Sequence, residues 1–402
     1  MKSVLLAAVA TSALVLAVPA SAQGVKIGIL NDQSGVYADY GGKWSVEAAK
    51  MAIEDFGGEV LGQKIELVTA DHQNKPDLAA SIARRWYDVE NVDMITELTT
   101  SSVALAIHEL SKEKKKIDIV VGAATSRLTG DACQPYGFHW AYDTRALGVG
   151  TGGALTKAGG DTWFFLTADY AFGHALERDT GNVVTQTGGK VLGAVRHPLN
   201  TSDFSSFLLQ AQASKAKVVG LANAGGDTTN SIKQAAEFGI VAAGQKLAAL
   251  LLFINDVHAL GLKTAQGLTF TESFYWDMND ATRAWSKRFS ALASKNAMPS
   301  MTQAGNYAMV LHYLKAMEAL GGNPNDGAKV VAKMKELPTD DTLFGKGPLR
   351  ADGRRLIPAY LFEVKKPEES KGPWDYYKQI ATIAPEDAAK PLEASDCPLV
   401  KK

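Results

Sequence analysis

The sequence predicts an α/β protein of two doubly wound lobes, each a mostly parallel sheet with helices on both faces. Three observations carry this. From Val25 onward short β-branched runs alternate with longer stretches of helical period, a pattern that buries parallel strands between helix layers. The chain has 402 residues, more than a single core of about 250–300 residues accommodates. The segments following the strands are small and polar, and ligands of such sheets bind at the carboxyl ends of the strands.

The first strand is VKIGIL, followed by the helical stretch WSVEAAKMAIEDF, in which Val46, Ala49, Ile53 and Phe56 share a face. KIELVTAD is a strand and LAASIARRWYDVE a helix, and DMITEL, ALAIHELSKEK and IDIVVG continue the alternation. FHWAYD reads as a further strand. A second series begins with WFFLTAD and a helix over about 173–187, then VLGAVRH, FSSFLLQAQAS, KVVGLAN and TTNSIKQAAEFG. YLFEV and YYKQIATI, separated by the charged, proline-bounded stretch 365–373, read as a hairpin.

Residues 1–22 carry one cation, an apolar run over 4–18 and an A-x-A site ahead of Gln23, the pattern of a secretory signal cleaved near Ala22. No later stretch approaches the roughly 20 unbroken apolar residues of a membrane helix, so a soluble, exported chain is expected. Losing Lys2 moves the formal charge from -1 to one unit more negative, and nothing in it suits nucleic acid. Cys133 and Cys397 are the two cysteines. In an oxidising compartment they are expected to pair, pinning the C-terminal tail to the first half of the chain.

Several motifs point to chemistry and fail on context. Gly148, Gly150 and Gly153 match G-x-G-x-x-G, with Asp169 about 20 residues on. Thr144–Leu147 stand between the preceding strand and the first glycine, so the small residues read as a close helix contact. The seven histidines show no H-x-x-x-H spacing, which leaves no zinc site, and no cofactor is expected. Ser111 and Lys114 match S-x-x-K but sit in a charged helix end. There is no G-x-S-x-G and no evident carboxylate pair, and an exported hydrolase would find hydroxyls at the tips but no convincing histidine as base.

The strand tips are NDQSGVYADYGG, TTSS, AATS, YAFG and AGGD. Ser, Thr, Gly and aromatic residues at converging tips suit a small-molecule receptor, with hydroxyl and backbone donors for a carboxylate and flat apolar walls. TTSS and AATS also read as helix caps. The two roles are compatible, because an open helix N-terminus is itself an anion site.

VKIGILNDQSGVYADYGGKWSVEAAKMAIEDFGG, TTSSVALAIHEL, GAATSRLT, FLTADYAFGHALERD and GNYAMVLHYLKAM together resemble the branched-chain amino-acid (leucine/isoleucine/valine) branch of the periplasmic solute-binding proteins of ABC importers. The resemblance spans nearly the whole mature chain. It implies the type I periplasmic binding fold with three crossovers at the hinge: lobe one over 24–143 plus 275–348, lobe two over 144–274 plus 349–402. It also implies a periplasmic monomer that closes on a small carboxylate and presents the closed form to an inner-membrane ABC permease.

By the same resemblance, the carboxylate falls to Thr100, Ser101, Thr125 and the backbone of Ala123, with Tyr40 as the aromatic of the first tip. Lobe two would supply Tyr170 or Phe172, the Asn223 tip, Phe253 or Asn255, and Tyr275 near a crossover. The sequence departs from the amino-acid receptors at the two positions that meet an ammonium group. Ala224 stands where they carry tyrosine, and FINDV leaves Asp256 as the one acid near the other. Burying an ammonium without partners is costly, so an aromatic carboxylate is favoured over a branched-chain or other aliphatic amino acid. A sensor-coupled receptor and an exported α/β hydrolase are the remaining alternatives.

Overall fold

The computed structural model describes residues 24–321 and 326–400; the signal segment and its cleavage site lie outside the described residues. The first sheet contains β1 (Val25–Asn31), β2 (Glu59–Val60), β3 (Gln63–Asp71), β4 (Met94–Glu97), β5 (Ile117–Val120) and β6 (Gly137–His139), in the order β2-β3-β1-β4-β5-β6. All its pairings are parallel except β2 with β3. The central strand β1 sets Ile27 opposite both Leu67 and Met94. Helices cover both of its faces, which is why VKIGIL is almost continuously apolar.

The second sheet contains β7 (Thr162–Ala168), β8 (Lys190–His197), β9 (Val218–Ala222), β10 (Lys246–Ala249) and β11 (Thr269–Glu272). Beyond the two-stranded ribbon of β12 (Thr339–Asp341) and β13 (Gly345–Gly347), it is completed by β14 (Ala359–Val364) and β15 (Tyr377–Ile383). The order is β15-β14-β11-β10-β9-β7-β8. The core is parallel, and the β14–β15 hairpin adds antiparallel to its edge, as YLFEV and YYKQIATI predict.

The chain passes between the sheets three times. It leaves the first after β6 and returns after β11 to add the helices Asp280–Leu292, Met301–Leu320 and Gly327–Glu336. Met301–Leu320 is buried on nearly all sides, as a helix in the interior of a large domain must be apolar all round. Before the last crossing the chain still follows the first sheet. His139 N–H donates to the carbonyl of Gly353 at 3.0 Å and Arg355 N–H to that of His139 at 3.1 Å, so this crossing falls later than residue 348.

The glycine-rich run continues a helix and does not open a phosphate loop. Residues 144–157 are helical throughout, with a widened turn at Gly148–Gly152. A Cβ on Gly150 would stand 2.2 Å from Thr271 Oγ1, and one on Gly148 3.0 Å from Thr180 Cα. These glycines let the first crossover press against β11 and the helix Ala171–Gln186. Cys133 and Cys397 form a disulfide with their Cα atoms 5.5 Å apart. Among the described residues, no helix is long and apolar enough to cross a membrane.

Candidate ligand site between the lobes

The carboxyl ends of the strands of both sheets meet at one small cavity. Tyr37, Tyr40, Thr99, Ser101, Gly122, Ala124 and Tyr142 line it from the first side. Tyr170, Phe172, Ala224 and Leu251 line it from the second. The walls close to about 10 Å³, room for about one water. Contacts across the cleft hold them together. The hydroxyl oxygens of Tyr37 and Tyr170 lie 2.6 Å apart, and Tyr40 stacks on Phe253 with ring centroids 4.1 Å apart. Gly226 N–H donates to the carbonyl of Val36 at 3.2 Å. The neighbouring Gly225 has φ +56°, and a Cβ there would lie 2.4 Å from that carbonyl, so glycine alone allows this approach.

Three helices begin at the cavity: Ser101–Lys114, Ala171–Gln186 and Gly225–Glu237, with Thr100, Tyr170 and Ala224 as their N-cap residues. None of the three caps accepts an N–H of the open turn with its side chain. Their first N–H groups carry the positive end of each helix dipole. Every residue of the wall is neutral. Burial pushes the Tyr37, Tyr40, Tyr142 and Tyr170 phenols above their ordinary pKa, so they remain protonated donors.

Ser101 Oγ accepts the Thr125 N–H at 3.3 Å, which leaves its own proton free to donate. Thr99 Oγ1 accepts the Asp32 N–H at 3.1 Å and donates to Glu97 Oε2 at 3.4 Å. Glu97 is fully buried just behind this wall, where a Cβ on Gly122 would meet its Oε2 at 2.2 Å. Ser45 donates to its Oε1 at 3.0 Å. Burial pushes its pKa up to about 7.

Of the residues proposed from the sequence, Tyr40, Ser101, Tyr170 and Phe172 stand in the wall, and Phe253 reaches it through its stack on Tyr40. The others are placed elsewhere. The Thr100 hydroxyl is committed to Asn74. The Ala123 carbonyl accepts from His139 Nε2 at 2.8 Å. Thr125 is buried outside the wall, its hydroxyl without a partner. The Asn223 amide donates to His197 Nε2 at 3.2 Å and accepts from Thr228 at 2.7 Å, inside its own lobe. Asn255 lies in the turn behind Phe253, away from the wall. Tyr275 packs against Tyr377, centroids 4.6 Å apart, and donates to the Trp374 carbonyl at 3.0 Å. It thus belongs to the second lobe's core. Asp256 is buried and accepts the Phe253 N–H at 2.9 Å, capping its helix instead of facing the cavity.

The residues that sequence reasoning missed are Tyr37, Thr99, Gly122, Ala124, Tyr142 and Leu251. Thr99, Gly122 and Ala124 sit one position from a residue that was chosen. In an extended tip alternate residues face opposite ways, so Gly122 and Ala124 line this cavity and the expected Ala123 and Thr125 do not.

The model describing periplasmic binding proteins matches residues 24–372. The chain belongs to this family. Solved structures agree over most of its length. A periplasmic binding protein of Burkholderia mallei is 55% identical, with TM-score 0.92, covering 94% of this chain and 100% of the other. A branched chain amino acid ABC transporter periplasmic ligand-binding protein of Burkholderia xenovorans is 43% identical, with TM-score 0.83 and coverage of 94% and 100%. An ABC transporter solute-binding protein of R. palustris, in complex with benzoate, shares the fold at 22% identity, TM-score 0.82, with coverage of 93% and 99%. The binding-protein family accounts for a cavity between two lobes with no catalytic constellation in its wall.

Proposed function

We propose that this binding protein is the extracytoplasmic receptor of an ABC importer and that it binds a small carboxylate bearing a flat apolar ring. The observation that carries the reading is the composition of the cavity: three helix N-termini without side-chain caps, free hydroxyl donors, tyrosine and phenylalanine faces, and no acid in the wall. An anion is stabilised there. An ammonium group would find no carboxylate partner. Tyr40 and Phe253, which stack on each other in the closed cleft, offer their faces to a planar ligand once the lobes part. Function then consists of hinge opening, capture on the first lobe, and closure into a form that a membrane permease recognises. The chain reaches the periplasm through its N-terminal signal and acts as a monomer, with no chemistry on the ligand.

A second reading is a receptor for leucine, isoleucine or valine, favoured by the name of the 43% identical relative. A thermal-shift screen separates the two. Benzoate, 4-hydroxybenzoate and cinnamate are expected to raise the melting temperature, by about 2.7 kcal/mol of stabilisation at 100 times the dissociation constant, and the aliphatic amino acids are not. A shift with leucine or valine and none with the aromatic acids overturns the aromatic reading. Ser101→Ala is expected to weaken binding of the active acid by about 1.5–3 kcal/mol, the range for a hydrogen bond to a charged group. Calorimetric affinity equal to wild type would place the carboxylate elsewhere.

A further inference from the structure

A second, larger pocket of about 370 Å³ lies at the junction of the lobes, and it shares no lining residue with the tyrosine-walled cavity. Its walls come from the turn after β5, the first crossover, the helix Ala171–Gln186, the last crossover and the C-terminal tail. Hydrogen bonds tie the lobes together along its edge. Ser126 Oγ and Thr144 Oγ1 each donate to Asp179 at 2.6 Å, and Arg178 donates to Ser126 Oγ at 2.9 Å.

The charges in this pocket almost pair off. Arg127 meets Asp131 at 2.9 Å, Arg178 meets Asp179 at 2.8 Å and Lys390 meets Asp396 at 2.6 Å. Deeper, Arg350 is paired with Asp352 and Arg354 lies 3.3 Å from Asp143. Arg145 is the remaining cation of the lining. Among the described residues it makes no ion pair, and its Nε is buried without a hydrogen-bond partner. Arg145 thus lines the pocket without a carboxylate opposite it, and a bound anion would supply one in the paired geometry that arginine favours.

We propose that this pocket is a second ligand site, for a small anion of the carboxylate or phosphate type, held by Arg145 between the two lobes. Its occupant joins elements of both lobes and therefore favours the closed arrangement by its differential affinity. The site is independent of the ligand proposed for the main cleft.

The test uses the full mature chain, with inorganic phosphate as probe against sodium chloride at matched ionic strength. Phosphate is expected to raise the melting temperature above that in chloride, and to bind at least as tightly when benzoate is saturating, because both occupants favour the closed form. Arg145→Gln is expected to weaken calorimetric phosphate binding by roughly tenfold to a hundredfold, with Arg145→Lys in between. Should Arg145→Gln fold poorly, Asn182→Trp, at an exposed position of the pocket lining, is expected to block binding with Arg145 in place. The proposal is overturned if phosphate and chloride act alike on the wild type, if Arg145→Gln binds phosphate as the wild type does, or if benzoate competes phosphate away.

Discussion

Glu97→Gln is expected to raise the melting temperature at pH 8 and to leave it nearly unchanged at pH 5. Glu97 ends β4 with no exposure to solvent, where the Ser45 and Thr99 hydroxyls and the Asn306 side chain reach its carboxyl. Burial moves its pKa from 4.5 to about 7. Between those values the folded protein holds the proton and the unfolded chain releases it. The stabilisation from this proton is complete below about pH 4.5 and is lost as pH rises through 7. At about 1.4 kcal/mol per pKa unit, the variant gains roughly 3 kcal/mol over the wild type at alkaline pH.

Other buried groups are shifted as well, two of them into the same range. Asp256 is raised to about 7 and Asp227 to about 6, while His72 and His312 are lowered to about 4. The informative quantity is therefore the difference between variant and wild-type melts across pH 5–8, and parallel profiles would refute the assignment. Because Glu97 lies behind Gly122 and Thr99 of the cavity wall, a bound carboxylate would further favour its protonated form. Binding of an aromatic acid is then expected to take up a proton and to weaken from pH 6 to pH 8 in the wild type, and to stay flat in Glu97→Gln.

Removing the disulfide is the other large effect. The Cys133→Ala, Cys397→Ala double variant is expected to lose about 2–4 kcal/mol of stability, because the bond closes a loop spanning a sequence separation of 264 and restricts the unfolded chain accordingly. The loss should be local as well as global. The tail beyond β15 is further held by the Arg350 side chain on the Lys390 carbonyl at 2.8 Å. It should become protease-sensitive before the lobes unfold. Wild-type melting of the double variant, or two alkylatable thiols in the folded exported protein, would remove the claim.

The alternation of strands and helices was legible from the residues, because a strand covered on both faces must be apolar throughout and a surface helix must repeat its apolar face every three to four residues. The exceptions are instructive. β10 is KLAA, without the β-branched or aromatic side chains that mark a strand; its place between β9 and β11 makes it one. The disulfide was legible because two cysteines allow a single pairing. That the tips after β1, β4, β5, β7 and β9 converge was legible too, since parallel strands deliver their carboxyl ends to one edge. Which residue of each tip faces the cavity was not. A slip of one position turns a side chain to the opposite face, and this parity put Gly122 and Ala124 in the wall and Ala123 and Thr125 behind it. Tertiary packing likewise drew Tyr275 into the second lobe's core and Asp256 into a helix cap. It left Arg145 without a partner in a pocket assembled from five separate stretches of chain, a juxtaposition that no local pattern encodes.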